Sequence, residues 1–117
     1  MAVLSCRPVG PMTSSGRITV EVRSERETVT IFVTGELDLV TMPVLAGQLA
    51  LVSRDKPGRL IFDLAGTRFM DCGSARLIAG AGQWLPGGAR PVIRHPAPSV
   101  RRILELTGLD ACCEIEE

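Results

Sequence analysis

The side chains best suited to chemistry in this sequence form one short cluster, "MDCGSA" at positions 70–75. The cluster places a carboxylate, a thiol and a hydroxyl at Asp71, Cys72 and Ser74, directly after an apolar, strand-like approach. If a helix begins here, the Asp71 side chain accepts hydrogen bonds from its first free backbone N–H groups. A helix start also favours a thiolate at Cys72, which would permit redox sensing. We favour a packing role for this thiol, because free cysteine is usually buried.

The rest of the chain offers little for catalysis or metal binding. The single histidine, His95, lies between Arg94 and Pro96 in a predicted turn, and no C-x-x-C or H-x-x-x-H spacing indicates a zinc site. No acid/base pair, nucleophile with a base, or glycine-rich phosphate loop can be assembled from the sequence. We therefore predict that the protein is not an enzyme and uses no metal and no cofactor.

Length, charge and cysteine content narrow the class of protein. A chain of 117 residues is about one domain long, and its 13 Lys and Arg balance its 13 Asp and Glu. That balance argues against direct nucleic-acid binding. Cys6, Cys72, Cys112 and Cys113 lack the spacing of a disulfide framework, which predicts reduced thiols. The sequence has no signal-peptide core and no run near the ~20 apolar residues of a membrane span, so we expect a soluble cytoplasmic protein without membrane insertion.

The first elements that could position the cluster follow from the hydrophobic pattern. Residues 1–16 mix Pro, Gly, Ser and Thr without periodicity and are predicted to be a flexible tail before a domain at 17–117. "RITVEV" and "TVTIFVTG" alternate β-branched with polar residues and predict a hairpin. Apolar residues at i, i+4 and i+7 then predict a helix near 42–53, with Thr41 as its N-cap.

The second half of the chain repeats a strand-and-helix pattern. "RLIFDL" predicts a central strand, in which we interpret Asp63 as structural, and a helix near 73–85 follows. We expect Gly80 and Gly82 within this helix to allow close packing against the sheet. "ARPVIRH" predicts a short strand, "PSVRRILELTGLD" a helix near 98–107, and "ACCEIEE" a final strand or a frayed end. The order ββαβαβα predicts an α/β protein.

Three segments of this pattern stand in a characteristic order: "VTGELDLVTMPVL" at 33–45, "LIFDLAGTRFMDCGSARLI" at 60–78 and "PSVRRILELTGLD" at 98–110. Together they resemble the STAS domain family, which occurs in bacterial anti-sigma factor antagonists and in the tails of sulphate transporters. The resemblance covers about residues 18–112. It implies an α/β fold with a mixed sheet of four to five strands and helices packed on it. It also implies an anti-sigma factor as the partner, often a histidine-kinase-like ATPase, whose binding releases a sigma factor.

The resemblance also implies a switch, from which this sequence departs. In the family, the kinase phosphorylates a serine or threonine of an Asp-Ser-Ser-Gly-like motif at the start of the second helix. Here Asp71 is kept, but Cys72 takes the first hydroxyl position and Gly73 takes the position that is usually phosphorylated. Ser74 is the remaining phosphorylation candidate, although one residue further along a helix is a rotation of about 100°. We expect Ser74 simply to cap or solvate the helix start.

We predict a function through protein contact at the start of the second helix and at the adjacent "GELDLVTMP" loop. The predicted partner-binding residues are Glu36, Asp38, Thr41, Asp71, Cys72, Gly73, Ser74 and Arg76. For Asp38, ordering the loop before the first helix is an equally supported role. The predicted protein is an anti-sigma factor antagonist, a monomer or weak homodimer, that regulates sigma-dependent transcription. The alternative is a STAS accessory subunit of a membrane lipid-transport ATPase complex.

Overall fold

One mixed β-sheet runs through the fold, which is a computed structural model that describes residues 7–8, 13–14 and 17–117. The strands are β1 Arg7–Pro8, β2 Thr13–Ser14, β3 Ile18–Glu25, β4 Thr28–Leu37, β5 Arg59–Met70, β6 Val92–Arg94 and β7 Glu114–Glu116. The α-helices are α1 Met42–Arg54, α2 Cys72–Gly80 and α3 Pro98–Thr107. The predicted α/β class and mixed sheet are confirmed, with β3 to β7 as the five principal strands.

The topology places the starts of all three helices at one edge of the sheet. β3 and β4 form the predicted antiparallel hairpin, whereas β4, β5, β6 and β7 pair in parallel in that order. Each parallel connection runs through a helix, α1, α2 or α3 in turn. Because the carboxyl ends of parallel strands meet at the same edge, each helix begins there.

The core lies where the helices cover one face of the sheet. Alternate residues of β3, of β4 and of the first part of β5 point inward, as expected for strands with a side-chain period of two. The predicted apolar face of α1 is confirmed, with Leu45, Leu49 and Val52 buried. The large and fully buried side chains are Ile18, Val20, Ile31, Leu37, Leu45, Leu60, Phe62, Leu64, Met70, Ile78, Ile93 and Leu104.

The first and last helices agree closely with the sequence prediction. α1 and α3 each carry a proline in the first turn, where the missing N–H costs little. Gly108 ends α3 with a φ of 75°, the left-handed conformation that glycine adopts readily. The last residues form β7 rather than a frayed end.

Two short strands fall within the segment predicted to be a tail, residues 1–16. β1 and β2 pair antiparallel with β3, with Arg7 opposite Ser24 and Thr13 opposite Val20. The outer edge of β3 has free backbone N–H and C=O groups that accept such pairing without any hydrophobic pattern in the added strand. The rest of 1–16 lies outside the described residues, so a boundary at residue 17 remains a prediction.

The elements around the cluster also differ in length from the prediction. β5 continues through "AGTRFM" to Met70, because β4 keeps pairing with it beyond an irregularity between Phe32 and Thr34. α2 ends at Gly80 rather than near 85 and passes into a 3₁₀ turn at Ala81–Trp84. Glycine weakens a helix interior, which explains the early end.

The structure contradicts the packing role predicted for Gly80. For Gly82 it agrees with close packing, but not with packing against the sheet. A Cβ atom built on Gly80 would meet no atom within 4 Å, so packing does not require glycine there. A Cβ atom on Gly82 would lie 3.1 Å from Cδ of Pro91, which is close packing against a loop rather than the sheet.

Candidate functional site

The predicted site residues gather where β4 and β5 end side by side. Glu36 pairs with Phe69 and Leu37 with Met70, and the backbone N–H of Asp71 donates to the carbonyl of Leu37 at 3.0 Å. The loop before α1 is therefore tied to the start of α2. We call residues 36–41 and 69–73 the strand-end surface.

Asp71 caps α2 as the sequence predicts. Its backbone is extended, and its carboxylate accepts a hydrogen bond from the backbone N–H of Ser74 at 2.8 Å. Its carbonyl accepts from the N–H of Ala75 at 3.0 Å, which starts the helical pattern. These two bonds fix where α2 begins, and so place the residues that follow.

Ser74 and Cys72 lie in environments opposite to those that the sequence predicts. Ser74 is fully buried and its hydroxyl has no hydrogen-bond partner among the described residues, so it neither caps nor solvates the helix start and cannot contact a partner. It turns inward because Ala75 and Ile78 on the same face pack into the core. Cys72 is exposed, so the packing role predicted for its thiol is wrong. Cys72 is the first residue of α2, and the buried residues of this helix begin at Ser74.

Gly73 lies on the surface with room for a side chain. A Cβ atom there would meet only Oδ1 of Asp71, at 3.8 Å. The position at which the resemblance implies phosphorylation is thus accessible but has no hydroxyl. One turn further along α2, Arg76 is exposed and makes no ion pair within the part of the chain that the structure describes.

Asp38 orders the loop before α1. Its Oδ1 accepts hydrogen bonds from the backbone N–H groups of Val40 and Thr41, each at 3.0 Å, and its Oδ2 pairs with Arg17. The N–H of Thr41, more than any other group, lowers the pKa of this carboxyl, helped by the N–H of Val40 and the charge of Arg17 and opposed by burial. These contacts support the loop-ordering role of Asp38.

Thr41 closes the same loop from inside. It is only 1% exposed, and its hydroxyl donates to the carbonyl of Glu36 at 2.6 Å and accepts from the N–H of Asp38 at 3.0 Å. Thr41 occupies the N-cap position of α1, as predicted, although its side chain makes no capping hydrogen bond. Its burial also removes it from the predicted partner contacts. Glu36 is half-exposed and carries long ion pairs to Arg17 and Arg68.

Three exposed apolar side chains lie on the strand-end surface and were not named individually as site residues, although two of them fall within the predicted "GELDLVTMP" loop. Leu39 and Val40 are 78% and 73% exposed, and Phe69 is 48% exposed. The only signal in the sequence is that "LV" follows Asp38 outside the helical period of α1. Large apolar side chains that stay exposed on a folded protein are candidates for an interaction site.

Other candidate residues do not join this site. Asp63 is half-buried in β5 and accepts from the N–H of Ala65 at 3.1 Å, which supports a structural role. His95 is exposed in a tight bend with a φ of 54°. Within residues 17–117, no group of three or more His, Cys, Asp or Glu side chains could hold a metal ion. No helix in that region is long and apolar enough to cross a membrane.

Known proteins share both the sequence pattern and the fold. A family model described as "Mlab, STAS domain" matches residues 20–116. The anti-sigma-F factor antagonist RsfB of Mycobacterium tuberculosis is 25% identical over 99 residues, covering 85% of this chain and 81% of the relative.

Solved structures agree with these matches. An anti-sigma factor antagonist from Mycobacterium paratuberculosis superposes with a TM-score of 0.79 and 27% identity over 90% of each chain. The unphosphorylated anti-sigma factor antagonist SpoIIAA superposes with a TM-score of 0.70, at 24% identity over 84% of this chain and 88% of that one, and supports the fold alone. The chain therefore belongs to the STAS domain family, and the relatives named above are anti-sigma factor antagonists.

Proposed function

We propose that this protein is an anti-sigma factor antagonist that binds an anti-sigma factor in the cytoplasm and so regulates sigma-dependent transcription. The names of its relatives support this function. The observation that carries it here is the exposure of Leu39, Val40 and Phe69 on the strand-end surface. Full burial of such a side chain is worth about 1.5–3 kcal/mol, so a partner that covers all three would gain substantial affinity.

The polar residues of the surface would frame these apolar contacts. Of the predicted partner-binding residues, Glu36, Cys72, Gly73 and Arg76 are accessible and remain proposed contacts. Asp38 and Asp71 act mainly by fixing the loop and the helix start. A partner of the histidine-kinase-like ATPase type and a monomeric or weakly dimeric state remain predictions.

Apolar contact can be tested with a matched pair of variants. Leu39→Asp should weaken binding to the cognate anti-sigma factor at least tenfold, because it places a charge in a desolvated interface. Leu106→Asp is the control, since Leu106 is 71% exposed but lies on α3, outside the strand-end surface. Equal binding by both variants in calorimetry would show that the partner contacts another face.

We also propose that phosphorylation does not switch this protein. Gly73 has no hydroxyl, and Ser74 is buried, so a kinase would reach its hydroxyl only after the first turn of α2 unfolds. Control would then rest on abundance or on oxidation of the exposed Cys72. Incubation with the cognate kinase and ATP should give no mass gain by intact-mass analysis. Stoichiometric phosphate on Ser74 with release of the partner would contradict the proposal.

The relatives named by sequence and structure are anti-sigma factor antagonists, which does not favour the alternative of a lipid-transport subunit. We therefore do not propose it.

A further inference from the structure

A cavity of about 460 Å³ lies beside the later turns of α2, apart from the strand-end surface. Its walls come from α2, from the 3₁₀ turn Ala81–Trp84, from the segment 88–90 and from the 3₁₀ turn Leu109–Cys112. No residue of the strand-end surface lines it. Its volume falls within the range of about 300–1,000 Å³ that is typical of small-molecule sites.

The cavity stays open because its walls carry small side chains. Gly80 stands in the helical conformation, and a Cβ atom added to it would meet no atom within 4 Å, so neither backbone geometry nor packing requires glycine there. Glycine in a helix is unfavourable relative to alanine, and here its effect is to leave the space beside α2 empty. Ala79, Ala89 and Leu109 supply an apolar lining.

Two positive charges border this apolar lining. Arg76 and Arg90 both line the cavity, and neither forms an ion pair with a carboxylate among residues 17–117. Arg90 donates to the carbonyl of Ala111, at the long distance of 3.5 Å. The neighbouring Asp110 carboxylate is not within ion-pair distance of either guanidinium. Free guanidinium groups suit carboxylate and phosphate oxygens.

We propose that this cavity binds a small amphipathic anion, with a carboxylate or phosphate monoester at Arg76 and Arg90 and a short apolar body against Ala79, Ala89 and Leu109. The proposal combines the volume, the apolar lining and the two unpaired charges. It goes beyond the proposed function, because the ligand needs no anti-sigma factor in order to bind.

Calorimetric titration of the full chain with octyl phosphate and octanoate tests the proposal. We expect saturable binding that Arg90→Gln weakens about tenfold through loss of a charge-assisted hydrogen bond. Inorganic phosphate and octanol should each bind far more weakly, since each supplies half of the ligand. The proposal would be overturned if inorganic phosphate or octanol bound as tightly as octyl phosphate. It would also be overturned if Arg90→Gln bound octyl phosphate as tightly as wild type.

A variant that fills the cavity distinguishes loss of ligand binding from loss of the folded state. Gly80→Leu should abolish binding because the new side chain occupies the cavity, and should raise Tm because it removes a helical glycine. Gly47→Leu is the control, since Gly47 is exposed on α1, has open space around an added Cβ atom and lies outside the cavity. It should raise Tm and keep full affinity. Retained binding by a folded Gly80→Leu variant would contradict the assignment.

The cysteines provide a readout at the site itself. Octyl phosphate should slow iodoacetamide alkylation of Cys112, which lines the cavity, but not of the exposed Cys72. Cys113 should not be alkylated, because burial raises the pKa of its thiol to about 11. Equal rates at Cys112 with and without the ligand would count against the site. Binding to vesicles of anionic phospholipid without binding of monomeric octyl phosphate would indicate a membrane surface and overturn the proposal.

Discussion

Asp71 and Ser74 share the first turn of α2, but their side chains affect its stability in opposite directions. The Asp71 carboxylate satisfies a free N–H of the turn, a contact worth about 0.5–2 kcal/mol in other proteins. The Ser74 hydroxyl is buried without a partner among the described residues, which costs about 1–3 kcal/mol. The Asp71 cap therefore stabilises the start of α2, whereas the buried hydroxyl of Ser74 destabilises it.

Replacing this hydroxyl tests that difference. Ser74→Ala should raise the free energy of unfolding by about 1 kcal/mol, since it removes an unsatisfied polar group and leaves only a small space. Urea denaturation measures the change, and Asp71→Ala, expected to lose about 1 kcal/mol, is the matched control. A destabilised Ser74→Ala variant would mean that the hydroxyl has a partner in solution.

The pH dependence of stability should report the contacts of Asp38. Its pKa is lower in the folded chain than the ordinary value of 3.8, so the ionised carboxylate stabilises the fold above about pH 3.8. That contribution disappears as the pH falls through the lower pKa of the folded state. Asp38→Asn should therefore be less stable than wild type at pH 7, and the two curves should converge below pH 3.8. A constant difference across this range, measured by denaturation, would contradict the assigned contacts.

Among the elements, the end of β4, where the chain enters the strand-end surface, depends on Gly35. Its φ is 115°, and a Cβ atom there would lie 2.0 Å from the carbonyl oxygen of Arg17. That same oxygen accepts the N–H of Glu36 at 3.0 Å, so β3 and β4 cannot move apart without losing the bond. The backbone needs glycine at this position.

Gly35→Ala should therefore destabilise the protein by at least about 2 kcal/mol, through backbone strain and displacement of β3. Gly47→Ala is the matched control, because Gly47 has open space around it and its replacement should add up to about 1 kcal/mol. Thermal unfolding of the two variants measures the contrast. Similar Tm values would show that β3 adapts more easily than this geometry implies.

The sequence predicts where the helices lie better than it predicts which of their residues are buried. α1 and α3 are predicted well because strong periodicity, prolines at the start and Gly108 at the end are local signals. α2 is predicted too long, because two glycines inside an apolar run leave its end undefined. Its buried face consists largely of small residues, including Ser74 and Ala75, which a pattern of large apolar residues does not reveal.

The candidate site shows the same division between local and tertiary information. The Asp71 cap and the Asp38 loop contacts involve neighbours within a few residues, so the sequence contains them. The exposure of Leu39 and Phe69 depends on what the fold leaves uncovered, which no local pattern determines. The cavity depends on α2 and on residues 109–112, which lie more than twenty residues apart in the chain, and it was not predicted either.

At the scale of the whole molecule, the topology separates two surfaces along one helix. The strand-end surface lies at the start of α2, whereas the cavity lies beside Gly80 in its later turns. Arg76 lies between the two, as a proposed partner contact and as part of the cavity wall. A variant of Gly73 or of Gly80 can therefore alter one surface while leaving the other intact. Binding of a partner and binding of a small anion can accordingly be measured as separate properties of the same chain.

The most direct test of the central claim is the affinity of Gly73→Glu for the cognate anti-sigma factor, measured by calorimetry. Gly73 is exposed with space for a side chain, and an acidic residue in the first helical turn is compatible with the fold. We predict an unchanged Tm and at least a tenfold loss of affinity, with full affinity for the control Gly47→Glu on the exposed side of α1. Wild-type affinity in the folded Gly73→Glu variant would contradict the claim that the strand-end surface binds the partner.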